Sequence, residues 1–374
     1  MTDRLFSRAR YMVVVAATVA VAALALPLGA SSGSWDVVVT ALDNPRGLNF
    51  GPLGRLYIAE AGRGGDGACA PGPEGLRCYG ETGAITRWSP RTGTAERVAD
   101  GLPSLASADG SFATGPHDLD LDLLGGVYLT IGFGGDPRNR EVDFGPDGRK
   151  FAREMYAVPH GPVLRVKDLG NYEIDNNPTG DEIDSNPYGI LSRLGRRIVA
   201  DAGANDLLQV RLDGKTTVLA TFPNRMVPGP GGAPFSMDAV PTSVAVGPDG
   251  AYYVGQLTGF PFPVGGANVY RVPPDGGTPV IFASGFTHIV DLAFGRDGSL
   301  YVLQIAKNGL LGAFPPGGDW TGALIKVQRN GTRTELAEGV LTAPGGVAVG
   351  PDGALYVTNK SIYSGIGEVI RIRP

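Results

Sequence analysis

The sequence predicts an all-β ring of six four-stranded units, a β-propeller closed by its own N-terminal strand. Three observations predict it. An alternating apolar run, broken by a Gly-Pro-Asp-Gly type turn, recurs along the chain. Each copy is followed by further period-2 segments, and the last copy is one strand short. The composition agrees: 58 Gly and 30 Pro in 374 residues, with 43 % hydrophobic residues, suit short strands and tight turns rather than helices.

The first 30 residues are set apart. Arg4, Arg8 and Arg10 precede an uncharged run from Tyr11 to Leu26, which Pro27 breaks before Gly29 and Ala30. A basic end, an apolar run and a small-residue exit make a secretory signal peptide, with cleavage expected near Ala30. The run is shorter than the ~20 residues of a spanning helix, so no stable membrane insertion is expected after cleavage. Residues 31–374 then form one exported domain.

The motif begins at Asn44 (NPRGLNFGPLGRLYIAE), Gly115 (GPHDLDLDLLGGVYLT) and Asn186 (NPYGILSRLGRRIVADAG). It returns at Val240 (VPTSVAVGPDGAYYVGQ), Thr287 (THIVDLAFGRDGSLYVLQ) and Ala343 (APGGVAVGPDGALYVTN). Matched positions are Gly47, Asp118, Gly189, Ser243, Asp291 and Gly346, spaced by 71, 71, 54, 48 and 55 residues. Regular motifs at irregular spacing mean one repeated unit with insertions of different size.

Trailing strand pairs are expected in GAITRWSPRTGTAERVADG, VLRVKDLGNYEI, NDLLQVRLDGKTTVLATF, ANVYRVPPDGGTPVIFASG and GALIKVQRNGTRTELAEG. Each unit is thus a four-stranded propeller blade. After the sixth motif only GEVIRIRP remains, one strand. The missing strand is expected from Trp35–Ala41, pairing beside Glu368–Ile372, which removes an exposed sheet edge. A seventh look-alike, VDFGPDGRKFAREMYA from Val142 to Ala157, starts too soon after the second motif to be a blade and reads as an insertion.

Cys69 and Cys78 close the loop CAPGPEGLRC, and for an exported chain the pair reads as a loop-stapling disulfide. Their spacing is not CxxC and no histidine is near, which argues against a metal or redox pair.

In a propeller the GPDG-type bends share one face and the long insertions the other. Loops on a rigid scaffold are where binding usually resides, so the loop-rich face is the candidate site. Second strands there end in Glu60, Thr130, Asp201, Gln256, Gln304 and Asn359. Arg46, His117, Asp118, Tyr188, Thr242 and Asp291 stand at the entries to the first strands. Glu60, Asp201 and Asn359 could supply oxygen ligands to an axial Ca²⁺, or the whole ring could simply solvate a channel mouth. Phe133, Phe260, Phe262, Phe314, Trp320 and Tyr363 lie in the same loops and could line a small-molecule cleft or pack on each other. DNNPTGDEIDSN, Asp175–Asn186, begins like a calcium loop with Gly180 sixth but ends in Asn186 where the twelfth-position Glu belongs. His117 and His288 could meet as an acid–base or metal pair, or serve as turn histidines.

The stretches EAGRGGDGACAPGPEGLRCYGETGAITR, GPHDLDL, NNPTGDEIDSNPYG, VADAGANDLL and LTGFPFPVGGANVYRV together resemble the ScyD/ScyE family. These are exported NHL-repeat-like propellers named after the scytonemin pigment gene cluster. The resemblance spans the mature chain and implies a propeller and export; scytonemin is built from aromatic precursors, which would suit the aromatic loops. It implies no catalytic residues. One departure is SRLGRRIVADAG, a residue shorter and more basic than the other turns.

The net charge of −5 lacks the basic clusters that nucleic-acid binding needs, so no nucleic-acid partner is expected. No HExxH or phosphate loop is present, and the GxSxG match at Gly29–Gly33 lies at the signal-peptide exit. The expected function is a secreted, monomeric binding module. It would take a small molecule or protein partner on the loop-rich face, through Glu60, Asp118, Tyr188, Asp201, Gln256, Phe260, Phe262 and Asn359. The alternative is a calcium-assisted hydrolase, lyase or isomerase using the axial polar ring, with His117 or His288 assisting.

Overall fold

A computed structural model of the chain describes residues 34–72 and 75–373. The expected signal peptide lies outside the described residues. Six antiparallel sheets follow one another around a ring, each beginning with the strand nearest the axis. Blade one contains Pro45–Phe50, Leu56–Glu60, Gly75–Ser89 and Thr94–Ala106. Blade two contains Pro116–Leu121, Val127–Ile131, Arg153–Ala157 and Val163–Asp168. Blade three runs Pro187–Arg193, Arg196–Asp201, Asp206–Arg211 and Thr216–Thr221.

Blade four contains Pro241–Val246, Tyr252–Gln256, Ala267–Val272 and Val280–Phe286. Blade five contains Ile289–Phe294, Leu300–Gln304, Ala323–Val327 and Arg333–Leu336. Blade six supplies Gly346–Val349, Leu355–Asn359 and Gly367–Ile372, and Trp35–Leu42 completes it. The closing register pairs Trp35 with Ile372, Val37 with Ile370 and Leu42 with Gly367, as the strand count predicts. Second strands carry the deepest core, with Ile58, Leu129, Val254, Val302 and Val357 all fully buried between neighbouring sheets.

Acidic side chains stitch the innermost strands together. Asp118 Oδ2 accepts the Ile190 N–H from the next blade at 2.9 Å, and Asp120 Oδ2 accepts the Ser192 N–H at 2.6 Å. Asp291 Oδ2 accepts the Val347 N–H at 2.7 Å in the same way. A Cβ on Gly47 would come within 1.9 Å of Asp118 Oδ1, so the matched position in blade one must be glycine for the aspartate of blade two to fit.

Two expectations for blade two are corrected. The segment Val142–Ala157 is not all insertion, because its end, Arg153–Ala157, is the blade's third strand, with Val163–Asp168 as the fourth. The third strand hid because Glu154 occupies a core position, fully buried and ion-paired with buried Arg197 of blade three. A charged residue at an apolar position breaks the strand pattern. The departure to more basic residues in SRLGRRIVADAG thus supplies a partner to the neighbouring blade. The second correction is that Leu169–Asn176 is an α-helix rather than a strand: Asp168 caps it by accepting the Asn171 N–H at 2.8 Å, and Asn177 ends it in a left-handed conformation.

The insertions have structure of their own. Cys69–Gly72 pairs with the start of the long Gly75–Ser89 strand, and Cys69 and Cys78 face each other as a disulfide. Arg140–Phe144 is a short helix in the blade-two insertion. An unanticipated hairpin, Arg225–Pro228 with Pro234–Met237, precedes blade four. Among the described residues no helix is long and apolar enough to cross a membrane.

Candidate functional site

Each blade meets the loop-rich face through the same joint. The residue after the second strand, or in blade six the second residue after it, donates its N–H to the carbonyl of a residue leading into the first strand. The pairs are Ala61 to Asn44, Gly132 to Gly115, Ala202 to Asn186, Leu257 to Val240, Ile305 to His288, and Ser361 to Ala343, at 2.9–3.1 Å. Asn44, Val240, His288 and Ala343 adopt left-handed backbone at φ 48, 55, 50 and 42°. For Val240, β-branched, that conformation is disfavoured and is held by the surrounding joint.

The polar residues ending the second strands complete these joints. Glu60 Oε2 accepts the Asp43 N–H at 2.8 Å, Gln304 Oε1 the Thr287 N–H at 2.6 Å, and Asn359 Oδ1 the Thr342 N–H at 2.7 Å. Asp201 Oδ1 accepts the N–H groups of Asn186, Gly203 and Ala204, while its Oδ2 accepts from Ser185 Oγ. Gln256 Oε1 accepts the Asn268 N–H at 3.2 Å and an Arg225 Nη2–H at 3.1 Å. Glu60 is further held by Arg97 at 3.0 Å. Glu60, Asp201 and Asn359 therefore turn into their own blades instead of converging on an axial ion. Among the described residues no group of three or more His, Cys, Asp or Glu is arranged to hold a metal.

The calcium-like loop divides in the same spirit. Asp175 belongs to the helix and Asn177 closes a turn by accepting the Gly180 N–H at 3.0 Å. Asn186 Oδ1 accepts the Phe133 N–H at 3.0 Å. Beneath it, Glu173 is buried and lacks a hydrogen-bond partner on either oxygen, as does Asp206. Burial, then the charges of Asp201 and Asp184, push the Glu173 carboxyl up to about 7.

His117 and His288 sit at joints in opposite blades. His117 lies 3.3 Å from the Pro187 carbonyl and its ring packs 4.5 Å from that of Tyr188. Burial, and then the Arg46 charge, drive its pKa down to about 3, so it is neutral at physiological pH. His288 Nδ1 lies 3.0 Å from the Leu257 carbonyl, and no hydrogen bond or ring contact joins the two histidines. Asp118 lies deeper, in an axial channel of about 260 Å³ shared with Asn49 and Asp291. Burial and the Asp291 charge raise its pKa well above the usual carboxylate range.

Above that channel the loop-rich face opens into a cavity of about 460 Å³. Its walls are aromatic and aliphatic, with Arg46, Thr114, His117, Asn186, Tyr188 and Thr242 as the polar groups. A chain of rings descends into it. Phe235, Phe260, Phe262, Phe314, Trp320 and Phe112 stand in succession, their centroids 5.1, 6.0, 6.1, 5.7 and 5.8 Å apart. Phe235 and Phe260 stand outside the cavity at 38 % and 40 % exposure, and the other four line it, with Phe314 at its mouth still 43 % exposed.

No protein-family model and no curated protein matches the chain. Solved structures do. A glucose dehydrogenase is 14 % identical with a TM-score of 0.52, over 91 % of this chain and 99 % of that one. Virginiamycin B lyase from Staphylococcus aureus is 13 % identical with a TM-score of 0.50, over 91 % and 99 %. Regucalcin, a calcium-binding protein from Agrobacterium tumefaciens, is 14 % identical with a TM-score of 0.50, over 91 % and 95 %. The likeness is one of fold: a β-propeller.

The expected site residues thus separate by location. Tyr188 and Phe262 line the cavity and Phe260 stands at its lip, with Phe314 and Trp320 joining from the sequence's aromatic set. Glu60, Asp201, Gln256 and Asn359 brace the joints, and Asp118 stitches the channel. Phe133 faces away, buried with Phe144 and Phe151 in the blade-two insertion. Phe112 and Phe235 were not singled out from sequence. Each is a lone aromatic between blades, Phe112 in a loop and Phe235 in the short hairpin, and nothing local distinguishes it from a packing residue.

Proposed function

We propose that this chain is an exported binding protein that holds an aromatic small molecule in the axial cavity of the loop-rich face. The observation that carries the reading is the line of rings running from exposed Phe235 to Phe112 inside the cavity. A cavity of about 460 Å³, apolar with a few polar groups on one side, matches the usual make-up of small-molecule sites. Edge-to-face rings offer a further ring favourable edges and faces along the whole descent. The disulfide and the resemblance to exported ScyD/ScyE propellers support export.

The alternative, calcium-assisted catalysis, draws on regucalcin and the lyase among the similar propellers. It would require Glu60, Asp201 and Asn359 to leave their backbone N–H partners. The test is tryptophan fluorescence during titration with aromatic compounds, since Trp320 lines the cavity. Saturable quenching is expected that Trp320→Phe abolishes and that Phe262→Ala with Phe314→Ala weakens at least about tenfold, a loss within what ring contacts supply. Quenching unaffected by these substitutions would overturn the reading.

A further inference from the structure

Arg46 is the anomaly of this cavity. Its side chain lines the wall and the residue is only 9 % exposed. One Nη2–H is donated to the Ala113 carbonyl at 2.7 Å, and the buried Nε–H has no partner. Among the described residues no carboxylate lies within ion-pair distance of it. Two other buried arginines behave differently: Arg140 pairs with Asp168 at 3.1 Å, and Arg197 pairs with Glu154. A guanidinium taken out of water without an anion is costly, so buried cations are normally paired.

The neighbouring side chains do not fill that role. Asp118 and Asp291 sit deeper, and each already accepts two backbone N–H groups. The Tyr188 hydroxyl is beside the guanidinium, and His117 is held neutral. The polar side of the cavity therefore presents one fixed positive charge, a phenol and a neutral imidazole opposite a wall of rings. A cationic ligand would be repelled there. An anion would find a planar guanidinium whose geometry suits a carboxylate.

We propose that the ligand is a planar aromatic acid whose anionic group closes on Arg46 while its ring lies against Phe262, Phe314 and Trp320. This rests on the aromatic-cavity reading and adds the charge of the ligand to it. It also assigns Arg46 as a specificity residue: the rings hold any arene of suitable size, and Arg46 selects the acid.

The test uses a matched pair of probes, 2-naphthoate and its neutral amide 2-naphthamide, titrated by tryptophan quenching. The wild-type protein should bind the carboxylate at least about tenfold more tightly than the amide, as a charge-assisted contact implies. Arg46→Gln should bring the two within about twofold by weakening naphthoate alone, and Arg46→Lys should keep part of the preference. Melting curves of both variants show whether the fold persists, and the preference is read from the Lys variant if Gln unfolds. If naphthoate and naphthamide bind equally to the wild type, the charge assignment is overturned while the aromatic cavity stands. If neither probe binds, the cavity reading falls and this inference with it.

Discussion

The loop-rich face has two halves built from opposite materials. On blades one to three, the insertions mostly fold onto themselves, Phe112 alone reaching across to Trp320. Phe133, Phe144 and Phe151 form a closed core, Arg140 ties Pro137, Phe151 and Asp168 together, and the Cys69–Gly72 strand extends the sheet. On blades four and five, the insertions leave ring edges uncovered, and those edges become the cavity wall. The longer insertions are on the closed half. Length of loop is therefore no guide to binding here; what matters is whether the insertion brings enough apolar and ionic partners to satisfy itself.

The comparison can be broken most forcefully at the buried ion pair on the closed half. Arg197→Met leaves Glu154 fully buried without its partner, and breaking such a pair typically costs about 3–5 kcal/mol. Urea denaturation should show that loss, while ligand quenching at Trp320 persists below the transition. Loss of quenching in the folded variant would mean the halves are coupled.

A smaller effect is expected at Glu173. Its folded-state pKa of about 7 is above the ordinary value of 4.5, so the native chain holds a proton that the unfolded chain releases between those values. Stability should then fall as pH rises across that window, by ~1–3 kcal/mol, and reach a lower plateau above it. Glu173→Gln should flatten part of the fall, with the other buried carboxyls that are raised, Asp118, Asp120, Asp201, Asp206 and Asp291, contributing in the same direction. Denaturation midpoints at pH 5 and pH 8 decide it, and an unchanged slope in the variant would remove Glu173 from the account.

The least change is expected from Cys69→Ser with Cys78→Ser. A bridge closing so short a loop contributes at most about 2–3 kcal/mol, and the two residues are already opposite each other in a strand pair. Among the described residues none between 62 and 82 lines the cavity, so the stapled loop stands apart from the ligand site. Melting should shift modestly and naphthoate binding should not change. A tenfold loss of binding would place the disulfide loop in the site after all.

Much of the ring is legible in the sequence. The six alternating runs, the turn between them and the single missing strand are short-range patterns, each written within about twenty residues. The polar residue ending each second strand was equally visible, yet its role was not. Glu60 and Asn359 look the same in sequence whether they face an ion or a backbone N–H. Blade two's third strand was hidden because Glu154 draws its justification from Arg197, 43 residues on.

The sequence by itself determined the number of blades, the closure by Trp35–Ala41 and the cysteine pair, because local alternation and strand counting suffice for those. Only the tertiary structure decided which insertion closes on itself and which leaves rings exposed. It alone brought Phe112 to Trp320 and left Arg46 lining a cavity without a carboxylate. Such outcomes depend on which groups from distant blades meet and satisfy one another, and no period in the chain records that.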